Sequence, residues 1–264
     1  MGNQYALILG ASSGFGKSVA LALAKDGLNI IGVHLDRSTT MPDVEQLIAD
    51  IKKCGVKVDF YNVNAADAGK RNMVLDSIKE NFSKEEGATI KVMMHSLAFG
   101  SLREFITADE KDELNQKQLE MTLDVMGSSL VYWTQGMIRR GLMKAGGKIY
   151  SMTSSGGRRQ IQYYGAVSAA KALLESFTRQ LAMELGKQDI AVNALCAGVT
   201  ETPALNKIPG ADKIIANAKQ RNPKSELTIP DYVAEYIVSA YKMPSHWTTG
   251  NIINIDGGES VVEL

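Results

Sequence analysis

The segment YYGAVSAAK, residues 163–171, holds the groups best suited to proton chemistry. A phenol can donate a hydrogen bond or a proton to an oxygen that gains charge, and a nearby ammonium eases its polarisation. Such a pairing is familiar in oxidoreductases, but the residue four before Lys171 is Val167, and the tyrosines stand seven and eight before it, at Tyr164 and Tyr163. If the stretch is helical, seven residues bring Tyr164 to within about 20° of the Lys171 direction, while Tyr163 is about 80° away. The spacing favours Tyr164. Helix packing alone also produces such Tyr and Lys spacings.

A second pattern suits phosphate. GASSGFGKS places Gly10, Gly14 and Gly16 directly after an apolar run and before an amphipathic one. Glycines there admit close backbone approach to a pyrophosphate, and the helix N-terminus offers free N–H groups. Ser12, Ser13 and Phe15 belong to the same turn. The second apolar run ends VHLDRS. A carboxylate at its end would read the ribose 2′-hydroxyl of NAD, and an Arg would pair with the 2′-phosphate of NADP. Asp36 falls two positions after His34, late for that task, whereas Arg37 and Ser38 offer a cation and a hydroxyl. NADPH is therefore the expected cofactor, with NADH second. The alternative is an Asp36–Arg37 pair in solvent without a ligand.

These residues need a scaffold. Apolar runs at 5–10, 29–33, 56–63, 90–96, 147–153, 190–196 and 251–256 read as strands. Amphipathic stretches at 14–26, 43–54, 68–82, 115–144, 164–186 and 230–242 read as helices. The alternation predicts an α/β fold: a doubly wound, Rossmann-type parallel sheet of about seven strands, one domain over residues 1–264. Residues 202–229, with Pro203, Pro209 and Pro223 and weak periodicity, suit a helical substrate lid above the carboxyl ends of the strands. Met121 and Met126 read as core, with lining of an acyl tunnel as the alternative.

Composition narrows the function classes. Lys+Arg and Asp+Glu both number 29, which argues against a nucleic-acid partner or polybasic membrane anchor. No apolar run reaches the ~18 residues of a membrane span, and Met1 leads straight into QYALILG. A soluble, cytoplasmic protein is expected. Cys54 and Cys196 read as inert thiols, and His34, His95 and His246 are too scattered for a zinc site. Arg158 and Arg159 suit either an acidic partner or a solvated loop.

Together the motifs resemble the short-chain dehydrogenase/reductase family over the whole chain. Asn62-Val63 stands where the family has an Asp-Val pair beside the adenine, GKIYSMTSS places Ser154 at the catalytic serine position, and IDGG (255–258) matches the C-terminal signature. Asn193 and AGVTET match the segment after the sixth strand, implying that Gly198, Thr200 and Thr202 meet the nicotinamide side of the cofactor. Ordinary members carry N-N-A-G after the fourth strand, an Asn in the long helix, and a Tyr four residues before the Lys. This chain has HSLAFG (95–100), Asp124 and Val167. Tyr-x6-Lys with HS-x-A-F looks like the enoyl-acyl-carrier-protein reductase branch, in its NADPH-linked form.

That resemblance implies conjugate reduction of a trans-2-enoyl thioester, on carrier protein or coenzyme A, in fatty-acid elongation, by a homotetramer. Tyr164 would meet the enolate oxygen, which lies two carbons from the carbon receiving hydride. Lys171 would hold the nicotinamide ribose. His95 and Ser96 would shape the nicotinamide pocket, and Ala98, Phe99 and Tyr163 the substrate pocket. A carbonyl (3-oxoacyl thioester) reductase and a non-catalytic nucleotide sensor are the competing readings.

Overall fold

The structure is a computed structural model and describes residues 3–262. Seven parallel strands, β1 (Gln4–Leu9), β2 (Asn29–His34), β3 (Val58–Asn62), β4 (Thr89–His95), β5 (Lys148–Ser154), β6 (Ala191–Ala197) and β7 (Ile252–Ile255), form one sheet in the order β3-β2-β1-β4-β5-β6-β7. The order reverses between β1 and β4, where a doubly wound sheet opens a crevice at its carboxyl edge.

Helices cover both faces because the strands are apolar on both. Leu7 and Leu9 of β1 point to one layer, α3 (Ala68–Ser83), α5 (Ser129–Arg139) and α6 (Gly165–Leu185). Ala6 and Ile8 point to the other, formed by α1 (Gly14–Lys25), α2 (Met41–Lys53) and α8 (Pro230–Tyr241). Trp133 of α5 is fully buried and donates its indole N–H to the Ala65 carbonyl at 2.8 Å, tying that layer to the loop after β3.

Two expectations need correction. Residues 115–144 are not one helix: α4 (Gln116–Leu123) passes through a π-helical turn, Asp124–Ser128, into α5. α5 stops at Arg139 because Gly141 takes φ +67°, and the N–H groups of Gly141 and Leu142 turn back onto Ile138 and Met137. Second, α6 begins at Gly165, so Tyr164 is its N-cap and Tyr163 lies before it in the left-handed region at φ 64°. The helical angle between Tyr163 and Lys171 therefore does not apply. The stretch 202–229 contains a helix, as expected, in α7 (Ala211–Arg221), entered through Gly210 at φ +78°.

Candidate active site

The glycine turn is closed too tightly for side chains. Gly10 (φ +86°) has its N–H on Val33 O, and a Cβ there would lie 2.5 Å from the Ser96 carbonyl oxygen. A Cβ at Gly16 would lie 2.0 Å from the Gly10 oxygen. Gly16 thus backs the turn without lining the cavity, whereas Ser12, Ser13, Gly14 and Phe15 do line it. The Ser13 side chain does not cap α1, so the first-turn N–H groups at the cavity have no side-chain partner.

At the end of β2, Asp36 is committed within the chain. Its carboxylate meets His34 Nδ1 at 2.9 Å and the Thr40 hydroxyl at 2.8 Å. Burial would raise this carboxyl, but hydrogen bonds from Ser12, Thr40 and His34 outweigh it and hold it below the usual carboxylate range. Asn62 exchanges two hydrogen bonds with the Asp36 backbone, each 3.0 Å, so it braces this loop and does not line the cavity. Val63 does line it. Arg37 is exposed, lines the cavity, and makes no ion pair among the described residues. Ser38 is exposed and outside the lining.

The reacting end lies where β4, β5 and β6 meet α6, in a cavity of about 770 Å³. Tyr164 is its one lining tyrosine. The ring packs on Gly156, where a Cβ would come within 2.6 Å of it, so this glycine makes room for the phenol. Burial pushes the Tyr164 phenol above its ordinary value, and the facing Ser154 hydroxyl opposes that rise. Ser154 Oγ makes no hydrogen bond of ordinary geometry and is buried without a partner. Lys171 is 7% exposed and donates to the Met152 carbonyl at 2.7 Å. Two of its three donors remain for a ligand. Burial lowers its ammonium to about 8, against the opposing charge of Glu175.

Val167, in place of the ordinary Tyr, packs with Met126 and Leu102 as an apolar wall. Met121, Val125 and Met126 line the same cavity, so the methionines read as core are also cavity wall. Their helical spacing carries both meanings and no signal separates them. Ser96, Ala98, Phe99, Gly198, Thr200 and Thr202 also line it. Tyr163 does not: it is half-buried, outside the lining.

His95 is fully buried, with Nε2 2.8 Å from Ser129 Oγ. The Ser129 hydroxyl already donates to Val125 O, so His95 is the donor, and burial keeps its ring neutral. It holds the π-turn and, unlike Ser96, does not line the cavity, so the expectation that it shapes the nicotinamide pocket is not met. The two basic loop residues have partners within the chain: Arg158 approaches buried Glu175 at 3.5 Å, and Arg159 meets Ser260 O at 3.3 Å. Cys196 is buried and its thiol is pushed up to about 11 by burial, which makes it inert at neutral pH. Among the described residues no helix is long and apolar enough to cross a membrane, and no group of three or more His, Cys, Asp or Glu could hold a metal ion.

The family model described as Enoyl-(Acyl carrier protein) reductase matches residues 10–260. The chain belongs to this short-chain dehydrogenase/reductase family. Among curated relatives, the 3-oxoacyl-[acyl-carrier-protein] reductase FabG of Thermotoga maritima is 27% identical over 256 residues, covering 96% of each chain. The NADH-linked enoyl-[acyl-carrier-protein] reductase FabI of Nostoc sp. is 26% identical, covering 98% of this chain and 97% of its own. The solved enoyl-[acyl-carrier-protein] reductase (NADH) of Aquifex aeolicus superposes with a TM-score of 0.84 at 20% identity, over 100% of this chain and 98% of its own. The protein is thus an oxidoreductase of this family with a nicotinamide-dinucleotide fold.

Proposed function

We propose that this reductase transfers hydride from NADPH to the β-carbon of a trans-2-enoyl thioester, carried on acyl carrier protein or coenzyme A. The observation that carries this reading is the single cavity phenol at Tyr164, with Val167 closing the position four before Lys171 as apolar wall. A donor displaced along the chain from Lys171 suits charge that develops on an oxygen remote from the carbon receiving hydride.

The residues present fit a dinucleotide: a turn closed to a Cβ at Gly10 and Gly16, a helix N-terminus that Ser13 does not cap, an Arg37 without an ion pair among the described residues, and two spare donors on Lys171. Bound there, the reduced nicotinamide would supply the hydride. Tyr164 donates a hydrogen bond to the enolate oxygen, and its raised pKa keeps the proton available at neutral pH. Lys171 holds the nicotinamide ribose and lends positive charge beside the phenol. Arg37 reads the 2′-phosphate, since Asp36 is already bound by His34 and Thr40. Ser12 to Phe15 cradle the pyrophosphate, Val63 borders the adenine, and Ser96, Gly198, Thr200 and Thr202 border the nicotinamide. Ala98, Phe99 and the Met121–Met126 wall accept the acyl chain, with residues 202–229 as its lid; Pro203, Ile208 and Ile214 of that segment line the cavity.

A second reading, reduction of a 3-oxoacyl thioester, is favoured by Ser154, whose unpartnered hydroxyl faces Tyr164 and could bind a carbonyl oxygen together with it. NADPH oxidation with a crotonyl against an acetoacetyl thioester tests the two. Turnover of the crotonyl substrate alone supports the first, and of the acetoacetyl substrate alone the second. Tight NADPH binding with neither turnover would mark a nucleotide sensor.

A further inference from the structure

Three segments distant in sequence meet at one buried carboxylate. Glu259, in the turn after β7, is 4% exposed. Its Oε1 accepts from Arg221 Nη2 at 3.2 Å, and its Oε2 accepts the Val199 backbone N–H at 3.0 Å. Arg221 is the last residue of α7, and Val199 belongs to the cavity-lining segment after β6. One side chain therefore joins the proposed lid to the proposed nicotinamide-side wall.

The surroundings hold this junction in register. Thr228 N–H donates to Val199 O at 3.1 Å, and Asn222 Nδ2 donates to Asp256 O at 3.2 Å. The Asp256 carboxylate accepts the N–H groups of Gly258 and Ser260, which shapes the turn that presents Glu259. No space is left over: a Cβ on Gly198 would lie 2.4 Å from Thr228 Oγ1 and 2.9 Å from Glu259 Oε2. α7 is thus fastened at its C-terminal end, while Ile214, in its first half, lies over the cavity.

A buried carboxylate persists only where its charge and lone pairs are matched. Here the matching is divided between two elements that face the same cavity, and Arg221 Nε is itself buried without an acceptor. A ligand that fixed residues 198–202 would also fix the acceptor that holds α7. We propose that Glu259 is a positioning residue that couples occupancy of the dinucleotide site to the seating of α7 over the cavity. The proposal rests on reading the cavity as a dinucleotide site, and is independent of which double bond is reduced.

The test needs no acyl substrate. Hydrogen exchange over residues 205–221 is followed with and without NADPH, beside NADPH affinity by fluorescence titration and the Tm. The wild type is compared with Glu259→Ala, Glu259→Gln, Arg221→Gln and Arg221→Lys. NADPH should slow exchange of α7 several-fold in the wild type. That slowing should vanish in Glu259→Ala and Arg221→Gln, weaken in Glu259→Gln, and return in Arg221→Lys. Affinity for NADPH should fall several-fold in Glu259→Ala, matching the lost slowing of α7, because coupling between two sites is reciprocal. Slowing of wild-type size in Glu259→Ala overturns the proposal, as does loss of protection spread uniformly over the sheet in step with the Tm. Should Glu259→Ala fail to fold, wild-type behaviour of both Glu259→Gln and Arg221→Gln overturns it equally. A wild type that binds neither NADPH nor NADH refutes the reading of the site itself. One that binds cofactor without slowing α7 refutes the coupling alone.

Discussion

Replacing Tyr164 with Phe removes one hydroxyl and leaves the ring on Gly156. The fold and the dinucleotide contacts should survive, because Lys171 keeps its bond to Met152 O and its spare donors. A donor aimed at developing charge in a buried site contributes about 2.7–4 kcal/mol, or about 10²–10³ in turnover. Ser154 faces the same point and can donate in its place, which lowers the bottom of the range. Turnover of an enoyl thioester should therefore fall by about ten- to a thousandfold, with little change in NADPH affinity, as followed by NADPH absorbance and fluorescence titration. Tyr163→Phe should stay near wild type, since that residue lies outside the cavity lining. Val167→Tyr in the Tyr164→Phe background should not restore turnover: Val167 is 4% exposed, and a ring there overpacks the wall against Met126, at about 1–3 kcal/mol. Recovery in that double variant, or near-wild-type turnover in Tyr164→Phe, refutes the assignment.

Arg37→Ala should raise the KM for NADPH about ten- to a hundredfold, for a charged contact of about 1.5–3 kcal/mol, and leave that for NADH nearly unchanged. A wild type preferring NADH would move the reading to Asp36. Burial holds the Lys171 ammonium at about 8 in the folded chain, below the ordinary lysine value of about 10.4 in the unfolded one. Between those values the unfolded chain binds more protons, so stability should rise with pH across that window. Urea midpoints should show this rise in the wild type and a smaller one in Lys171→Met; equal slopes would contradict the burial argument. Exchange over residues 202–229 should slow further when NADPH and an enoyl thioester are both bound, and equal protection in the apo and ternary states would remove the lid.

What the sequence disclosed depended on whether neighbours or backbone angles decide the outcome. The strands of the parallel sheet are long apolar runs between turns, and all seven are present within a few residues of their expected bounds. Gly10 and Gly14 were legible because the positive φ of a tight turn calls for glycine. The π-turn at Asp124–Ser128 was not, since one inserted residue scarcely alters an apolar stripe. The bounds of α7 were not legible because it is short, mostly exposed and begins at a left-handed glycine among prolines. Tyr163 was misjudged for a local reason: a left-handed non-glycine residue has no periodic signature. Asn62 and Ser38 have side chains suited to a cofactor, yet loop hydrogen bonding and exposure set them outside the cavity lining.

The most direct test of the account is the wild-type rate of NADPH oxidation with matched C4 thioesters, crotonyl and acetoacetyl, on the same carrier. The account predicts turnover of the crotonyl thioester that exceeds the acetoacetyl rate and falls in Tyr164→Phe. Acetoacetyl reduction without crotonyl reduction, lost on replacing Ser154 by Ala, would contradict it and make the chain a carbonyl reductase.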